Sequence, residues 1–410
     1  MYRVWYSTES FADYIIEHTF LAHESVVKNK LYESDANNPK KFHSMPDHIR
    51  RILYLDSPDI IVEKDMEPIF SIEISTEAGT GHNAFQRFAR IAASVENDVP
   101  AFYIYPPAAI ITRKNSEPVW DRINPLIFKA LEAVMSVYNI PALLYYFPSD
   151  YFAYPVAAEA PNGRSKGLKL ESDFRYGGAP DHSDNEMQSM FAAINEINAL
   201  TLRYGVIEGR KKLLSSMVIR ERRTFMQQEF YQNDSGKVMS PITSTITVPT
   251  KYLMNYLSQF ESRAYQVGDL LRSRENTVIY RINANFRGDP YPGALSAIDY
   301  LMCREGKTYE ERRNNLVLAW GAVEIDDKAK TLIIRNEKST TINDFFDSVK
   351  GCTDKILLSK DYNELDKDMV SRYYMQVRYG STYSKVKHIR VYSYFADAIL
   401  FPDGSLWRDG

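Results

Sequence analysis

Cysteine is scarce in this 410-residue chain, which contains only Cys303 and Cys352. Two cysteines cannot build a disulfide framework or a cysteine-rich zinc site, and such low usage is typical of proteins from a reducing compartment. The chain also lacks any run of about 18 apolar residues, the length that suggests a membrane-spanning helix. Its first residues, MYRVWYSTES, show no basic segment followed by an apolar one. We therefore expect a soluble, cytoplasmic protein with no membrane partner.

Net charge is small as well, because 50 Lys and Arg residues stand against 53 Asp and Glu residues, a formal charge of −3. No global attraction to nucleic acid follows, so any polyanion site must be a local patch. Apolar and aromatic residues are plentiful, at 44% and 13%, with 29 tyrosines. This length and composition predict a folded protein of two or more domains rather than a disordered chain.

The first 150 residues alternate between helical and strand patterns. Helices are predicted over about 10–32, 46–53, 82–96 and 117–138, and strands over 58–63, 69–75, 101–106 and 141–147. The polar segment KDMEP joins the first two strands, which indicates a hairpin. Strands that alternate with helices after an opening hairpin predict an α/β fold with a mixed sheet covered on both faces.

The remaining chain has a different pattern. Pro, Gly and Asp are frequent over 148–184, which indicates a linker or an exposed excursion. Long helical patterns follow over 185–204 and 207–232, and then short strands over 315–325, 331–336 and 386–401. The predicted division is a domain at 1–150, a linker or excursion at 151–184 and an α+β domain at 185–410.

Acidic residues lie within the predicted hairpin. Asp59 begins one apolar strand, and Glu73 lies in the next strand, flanked by isoleucines. Because strand side chains alternate, Glu73, Ser75 and Glu77 share one face. A carboxylate in such a run costs free energy to bury unless it meets a cation or a donor. Asp59 and Glu73 are therefore candidates to converge on a hard divalent cation such as Mg²⁺, with the carbonyl oxygen of Ile74 as a further ligand.

These residues resemble the PD-(D/E)xK nuclease superfamily, which includes type II restriction endonucleases and shares an αβββαβ core. The match consists of Pro58-Asp59, Glu73-Ile74-Ser75, the helix that starts near His82 and the strand over 101–106. It covers roughly residues 10–150. The resemblance implies a restriction-endonuclease-like core with a mixed sheet. It also implies a magnesium-dependent endodeoxyribonuclease that hydrolyses phosphodiester bonds of double-stranded DNA.

The resemblance assigns Asp59 and Glu73 as ligands of Mg²⁺, for which Mn²⁺ could substitute, and Glu24 on the preceding helix as a further metal ligand. Where the family usually has a lysine, two residues after the glutamate, this chain has Ser75. The residues available to orient the attacking water in place of that lysine are Ser75, Glu77, Gln86, Lys64 and Arg87.

Two basic stretches interrupt the overall neutrality. Residues 203–223 contain seven basic and two acidic side chains, and residues 372–392 contain five basic side chains, no acidic ones and several tyrosines. Lys and Arg gain affinity by releasing phosphate counterions. Contacts to DNA are expected from Arg87, Arg210, Lys211, Lys212, Arg220, Arg222, Arg223, Lys385, Lys387 and Arg390. The C-terminal domain is therefore expected to recognise DNA or to mediate dimerisation, since a homodimer would cut both strands.

Two other functions stay open. Cap-snatching RNA endonucleases place similar residues on two strands, but they usually carry a lysine on the next helix, and residues 79–113 contain none. The other alternative is a catalytically degenerate nucleic-acid-binding or scaffolding protein built on the same core.

Overall fold

A computed structural model gives the fold. It describes residues 1–32, 39–77, 81–232, 241–259, 273–282, 290–308, 310–335, 391–392, 394–400 and 406–408. The chain divides into two units, one made of residues 1–33 and 40–240 and the other of residues 34–39 and 241–410. Both units mix helices with strands, so the predicted α/β class is confirmed at this level. Among the described residues, no helix combines the length and the apolar character needed to cross a membrane.

Residues 1–240 supply one large sheet and the helices around it. In chain order the elements are β1 Tyr2–Tyr6, α1 Glu9–His18, β2 Val26–Lys30, α2 Pro39–His43, α3 Asp47–Arg50, β3 Ile60–Lys64, β4 Glu67–Ile74, α4 Phe88–Glu96, β5 Ala101–Tyr105, β6 Ala108–Ile111, β7 Val119–Arg122, α5 Leu126–Tyr138, β8 Ala142–Tyr146, α6 Asn185–Tyr204, α7 Val206–Lys212 and α8 Met217–Gln232.

Six strands form the large sheet, in the order β2-β1-β3-β4-β5-β8. β1, β3 and β4 are antiparallel neighbours, whereas β4, β5 and β8 run parallel, so the sheet is mixed. The parallel strands β5 and β8 are buried along their whole length, as expected for strands covered on both faces. The remaining pair, β6 and β7, forms a separate antiparallel hairpin.

Helices cover both faces of this sheet. The hydroxyl of Ser71 on β4 is hydrogen-bonded to that of Ser94 on α4, at 2.9 Å. The hydroxyl of Tyr2 on β1 donates to Asn198 Oδ1 on α6, at 2.7 Å. By the strand register, the side chains of Tyr2 and Ile72 lie on one face of the sheet, and that of Ser71 lies on the other face. Helix α4 therefore lies on the face that carries Ser71 and Glu73, and α6 lies on the opposite face.

The second unit is built around a smaller mixed sheet. Its elements are β9 Thr245–Pro249, α9 Thr250–Leu257, β10 Asn276–Ile282, α10 Pro290–Ile298, β11 Asn314–Trp320, β12 Ala322–Asp326, β13 Thr331–Arg335, β14 Ala398–Leu400 and β15 Leu406–Arg408. The sheet order is β15-β14-β11-β10-β9, and β12 pairs with β13. Leu253 and Leu257 of α9 pack with Val317 of β11 in its core.

Several predicted elements differ from the observed ones. The helix predicted over 10–32 ends at His18, because residues 26–30 leave the helical path and pair with β1, a strand that the sequence pattern missed. The helix predicted over 117–138 begins only at Leu126, because residues 119–122 pair with β6. The pattern over 207–232 is divided into α7 and α8.

The predicted domain boundaries are also wrong. Residues 151–184 are bonded to the first unit, since the amide of Ile110 donates to the carbonyl of Lys166 and that of Asp150 to Gly167, both at 2.8 Å. Helices α6 and α8 contact the large sheet, and Arg222 of α8 donates to the carbonyl of Leu144 at 2.7 Å. The first unit therefore extends to residue 240 instead of ending near residue 150.

Candidate functional site

Asp59 and Glu73 lie opposite each other on the hairpin. Ile60 is paired with Ile72, and the amide of Asp59 donates to the carbonyl of Ile72 at 3.0 Å, so Asp59 faces Glu73 across the two strands. The half-buried carboxylate of Asp59 accepts hydrogen bonds from the Ile74 amide and from the Ser7 hydroxyl, each at 2.9 Å. The strand register thus brings together the two carboxylates on which the sequence interpretation depends.

Glu73 is bound by arginines. It is only 1% exposed, and Arg90 Nη1 donates to its two carboxylate oxygens at 2.8 and 3.0 Å. Arg87 Nε lies 3.4 Å from Glu73 Oε1. Burial raises the pKa of Glu73 well above its ordinary value, because desolvation outweighs the opposing charge of Arg90, and the negative charge of Asp59 raises it further.

Arg90 serves more than one carboxylate. Its Nε donates to Asp56 Oδ2 at 2.7 Å, while Nη1 holds Glu73. Burial lowers the pKa of Arg90, but the charges of Glu73 and Asp56 outweigh that effect, and the net pKa lies well above the ordinary value. Three carboxylates, those of Asp56, Asp59 and Glu73, thus act on one buried guanidinium.

The other predicted catalytic residues are distributed around this cluster. Ser75 is 6% exposed and accepts from the amide of Glu77 at 3.3 Å, whereas Glu77 itself is exposed. Gln86 is half-buried and follows the short 3₁₀ turn Asn83–Phe85. Lys64 donates to the hydroxyl of Tyr2, on the sheet face opposite Glu73, so it does not replace the missing lysine.

Glu24 does not complete a metal site with the hairpin carboxylates. It is exposed at the end of a 3₁₀ turn, Phe20–His23, rather than on a helix facing the hairpin. Within the described ranges, no set of three His, Cys, Asp or Glu ligand atoms forms around Asp59 and Glu73. The prediction of Glu24 as a metal ligand is therefore wrong, because the chain turns away into β2 where a continuing helix was expected.

Much of the first basic stretch is not available to phosphate. Arg210 and Arg222 are 7% and 6% exposed, and they donate to the carbonyls of Pro68 and Leu144 inside the protein. Arg223 donates to Glu132. The prediction that Arg210 and Arg222 contact DNA is corrected, because a guanidinium bonded inside the fold cannot release counterions from a phosphate backbone. The Arg223 side chain is 30% exposed, so its contact with DNA stays a prediction.

Apart from Arg87, which lies beside Glu73, the other predicted DNA contacts fall into two groups. On the surface of the first unit, Lys211 pairs with Glu208 at 2.6 Å, Lys212 lies over the ring of Tyr204, and Arg220 is exposed. Lys385, Lys387 and Arg390 lie outside the described residues.

A second cluster of polar side chains was missed by the sequence analysis. His18, Glu171 and His182 each offer one ligand atom, and these three atoms lie within 4.8 Å of one another. The imidazole centroids of His18 and His182 are 4.5 Å apart. No local spacing could reveal this group, because His18 ends α1 whereas the other two residues lie in the excursion before α6.

Tyr14 lies against this cluster. Its ring centroid is 4.8 Å from that of His18, and the residue is fully buried. Its hydroxyl has no hydrogen-bond partner in the described part of the chain. Burial, followed by the charges of Glu171 and Asp181, raises the pKa of Tyr14. The hydroxyl therefore lies close enough to Glu171 to be affected by its charge.

Comparison with known proteins gave no match to a protein-family model, to a curated protein or to a solved structure. Functional inference thus depends on the geometry of the chain itself.

Proposed function

We propose that this chain is a divalent-metal-dependent endonuclease that hydrolyses double-stranded DNA, in the manner of type II restriction endonucleases. The observation that carries the proposal is that Asp59, immediately before β3, lies across from Glu73 of the antiparallel strand β4, close enough for its charge to act on Glu73. The order of elements supports it. β1, β3 and β4 form an antiparallel run, after which α4 leads to β5, parallel to β4. This arrangement is similar to the βββαβ part of the nuclease core, although α1, β2, α2 and α3 lie between β1 and β3 in the chain.

The charges at the site fit a hard cation. Asp56, Asp59 and Glu73 outnumber Arg87 and Arg90, and burial keeps the pKa of Glu73 high even with both arginines nearby. Carboxylate oxygens are the ligands that Mg²⁺ prefers, and a cation at Glu73 would favour the ionised form that burial disfavours. Asp59 and Glu73 would hold the ion, which would lower the pKa of a bound water and neutralise charge on the phosphodiester.

The neighbouring residues would position the substrate. Ser75, Glu77 or Gln86 would orient the water. Arg87, already beside Glu73, would contact the scissile phosphate. Arg90 would remain with Asp56 when Glu73 turns to the ion. This exchange of Arg90 for a metal as the partner of Glu73 is the central requirement of the proposal.

The tight pairing of Arg90 with Glu73 favours a second candidate, a nucleic-acid-binding or scaffolding protein on a nuclease-like core without catalysis. A buried carboxylate that already has a guanidinium partner at 2.8 Å gains less from a metal ion than one that has none. If the ion cannot displace Arg90 from Glu73, Asp59 alone is too weak a ligand set for Mg²⁺.

The test is cleavage of mixed DNA by the purified full chain. A mixture of supercoiled plasmid and bacterial and phage genomic DNA is incubated with Mg²⁺, Mn²⁺ or a chelator, with matched RNA duplexes in parallel. We expect metal-dependent cleavage of DNA, and a loss of about 100-fold or more in Asp59→Asn and Glu73→Gln.

The matched control is Asp65→Asn, which removes an exposed carboxylate from the same hairpin and should cleave normally. Circular dichroism and thermal unfolding check that the variants are folded. Unchanged cleavage by the Asp59→Asn, Glu73→Gln double variant rejects the assignment. Preference for RNA selects the cap-snatching alternative. A folded protein that binds DNA, cleaves neither duplex and binds no Mg²⁺ by calorimetry selects the non-catalytic candidate.

A further inference from the structure

The histidine cluster of the first unit has the chemistry of a different kind of metal site. His18, Glu171 and His182 offer two imidazole nitrogens and one carboxylate oxygen. Zinc and similar transition metals prefer such mixed nitrogen and oxygen donors, whereas Mg²⁺ prefers oxygen alone. None of the three residues takes part in the nuclease proposal, so the two sites can be tested separately.

One ring nitrogen of His18 is bonded to the backbone, which leaves the other for a metal. Its Nδ1 lies 2.8 Å from the carbonyl oxygen of Tyr14. A carbonyl oxygen only accepts, so Nδ1 is the nitrogen that carries the proton and donates. The lone pair of the neutral ring is then on Nε2. A backbone carbonyl that fixes the ring through Nδ1 in this way is the usual support for a histidine that binds a metal through Nε2.

His182 and Glu171 are held together tightly. His182 Nδ1 lies 2.5 Å from Glu171 Oε2, and the His182 amide lies 3.3 Å from the same oxygen. The other carboxylate oxygen, Oε1, accepts from the amide of Ser172 at 2.9 Å. The Glu171 side chain is 4% exposed and that of His182 is 43% exposed, so the cluster is anchored inside and open on one side.

Tyr14 supplies a second, independent observation. Buried hydroxyl groups almost always find a hydrogen-bond partner, because an unmade bond costs free energy. The Tyr14 hydroxyl is fully buried and has no partner among the described residues, although its ring lies 4.8 Å from that of His18. Such an unsatisfied donor, on a ring that packs against one of the cluster's imidazoles, points to a group that completes the site.

We propose that His18 Nε2, His182 Nδ1 and a carboxylate oxygen of Glu171 bind a Zn²⁺ ion, and that the Tyr14 hydroxyl donates to the water or anion in the fourth position. The ion replaces the proton now shared by His182 and Glu171, and that proton goes to solvent. Two ligand atoms of a tetrahedral zinc ion lie about 3.3 Å apart, so this contact must open by about 0.8 Å. Three protein ligands with one open position define a site that can activate water rather than a closed structural one.

The competing explanation is that the same residues only fix the excursion to α1. In that case the ion pair stabilises the fold, but zinc neither binds nor adds stability. The measurement must therefore follow the metal itself as well as the folding of the chain.

The experiment uses the full chain, stripped with a chelator and dialysed into metal-free buffer. Zinc uptake is measured by competition with a chromophoric chelator, and the coordination by the visible absorption of the Co²⁺ form. We expect one tightly bound zinc ion per chain, a tetrahedral Co²⁺ spectrum, and a higher unfolding temperature with zinc than without. Affinity should fall at least 10-fold in His18→Ala and in His182→Ala.

Two further variants keep the test decisive if an alanine variant fails to fold. His182→Cys restores a zinc ligand and should retain binding, and Tyr14→Phe should retain zinc but change the Co²⁺ spectrum. The matched control is His23→Ala, an exposed histidine close in sequence to His18 that should bind zinc normally. Asp59→Ala should also retain one zinc, which separates this site from the proposed nuclease centre. Failure of the wild-type chain to take up zinc, or full binding by the folded His182→Ala variant, overturns the proposal.

Discussion

Arg90 donates to both carboxylate oxygens of Glu73, at 2.8 and 3.0 Å, from the first turn of α4. The same side chain bonds Asp56 at 2.7 Å. Because Glu73 and Arg90 are 1% and 7% exposed, neither can exchange its partner for bulk water. This contact therefore both stabilises the first unit and restrains the carboxylate on which the nuclease proposal depends.

Removing Arg90 should destabilise the chain strongly. Arg90→Met keeps much of the aliphatic volume but removes the guanidinium that serves Glu73 and Asp56. Breaking a buried pair from one side typically costs about 3–5 kcal/mol, and we expect a loss of that size in the free energy of unfolding. Urea denaturation followed by circular dichroism measures it. Arg220→Ala, at an exposed position of α8, should change the same quantity by less than about 0.5 kcal/mol.

If Arg90→Met lowers the free energy of unfolding by less than about 1 kcal/mol, water or a bound ion already contacts the carboxylates of Glu73 and Asp56. The double variant Arg90→Met, Glu73→Gln should recover part of the stability, because it leaves no carboxyl group at position 73 to be buried without its guanidinium donor.

The pKa of Glu73 predicts how stability depends on pH. Its pKa is raised from 4.5 in the folded chain, chiefly by burial. As pH rises above about 4.5, unfolded chains lose this proton while folded chains keep it. The folded state then binds more protons than the unfolded state, so this residue lowers stability as pH rises towards the folded pKa. Glu73→Gln removes that dependence, and the variant should gain stability relative to the wild type as pH rises above about 4.5.

The measurement is the free energy of unfolding of the wild type and of Glu73→Gln at several pH values above about 4.5. If Arg90 instead keeps Glu73 ionised when folded, the sign reverses, and the wild type gains stability relative to Glu73→Gln as pH rises. Addition of Mg²⁺ at neutral pH should reduce the stability advantage of Glu73→Gln over the wild type, because a bound cation favours the ionised carboxylate.

The hairpin was predictable from the sequence, and its environment was not. Alternating apolar residues and the KDMEP turn located β3 and β4, and the period of two placed Glu73 and Ser75 on one face. The partner of Glu73 could not be found in this way. Arg90 falls within the helix predicted over 82–96, but sequence spacing does not show which helix face lies over which strand.

The first basic stretch shows the same limit. Its charges suggested a phosphate-binding surface, yet Arg222 lies 4.1 Å from the centroid of the Tyr145 ring and is bonded to Glu186 at 2.7 Å. The local charge excess was real, but tertiary packing decided which guanidinium groups reach the surface. On α8, Arg222 is buried and Arg220 is exposed, and only the folded structure shows this difference.

Arg222 and Arg220 therefore form a matched pair for testing DNA binding against stability. Arg222→Ala removes a hydrogen bond to Leu144, the pair with Glu186 and contacts with two aromatic rings. We expect a loss of about 3 kcal/mol in the free energy of unfolding. Arg220→Ala should leave stability unchanged and, if the surface of α8 contacts DNA, should lower affinity and the salt dependence of binding.

Fluorescence anisotropy with labelled duplex DNA at several salt concentrations, together with urea denaturation, separates the two effects. Stability unchanged by Arg222→Ala would mean that its buried contacts contribute little. Equal affinity of Arg220→Ala and the wild type at every salt concentration would remove this part of α8 from the DNA-binding surface.

Two glycines close in sequence, Gly163 and Gly167, can be used to test how rigid the excursion before α6 is. Gly167 has a φ of +77°, and a Cβ atom at this position would overlap the ring of Trp120, whose indole nitrogen is held by the carbonyl of Tyr154 at 2.8 Å. At Gly163 a Cβ atom would meet no atom of the described residues within 4 Å. Gly167→Ala should therefore cost about 2 kcal/mol or more, from backbone strain and the displaced ring.

Gly163→Ala should leave stability within about 0.5 kcal/mol of the wild type, or raise it slightly, because alanine restricts the unfolded chain. Thermal unfolding and limited proteolysis of the two variants check both expectations. Since Gly167 also accepts the amide of Asp150 at 2.8 Å, its displacement should open the excursion to protease before the rest of the unit unfolds. If the two variants unfold at the same temperature and are digested equally, this segment adapts to an added methyl group. The pair of His182 and Glu171 in the same segment is then held less firmly against α1 than the contacts indicate.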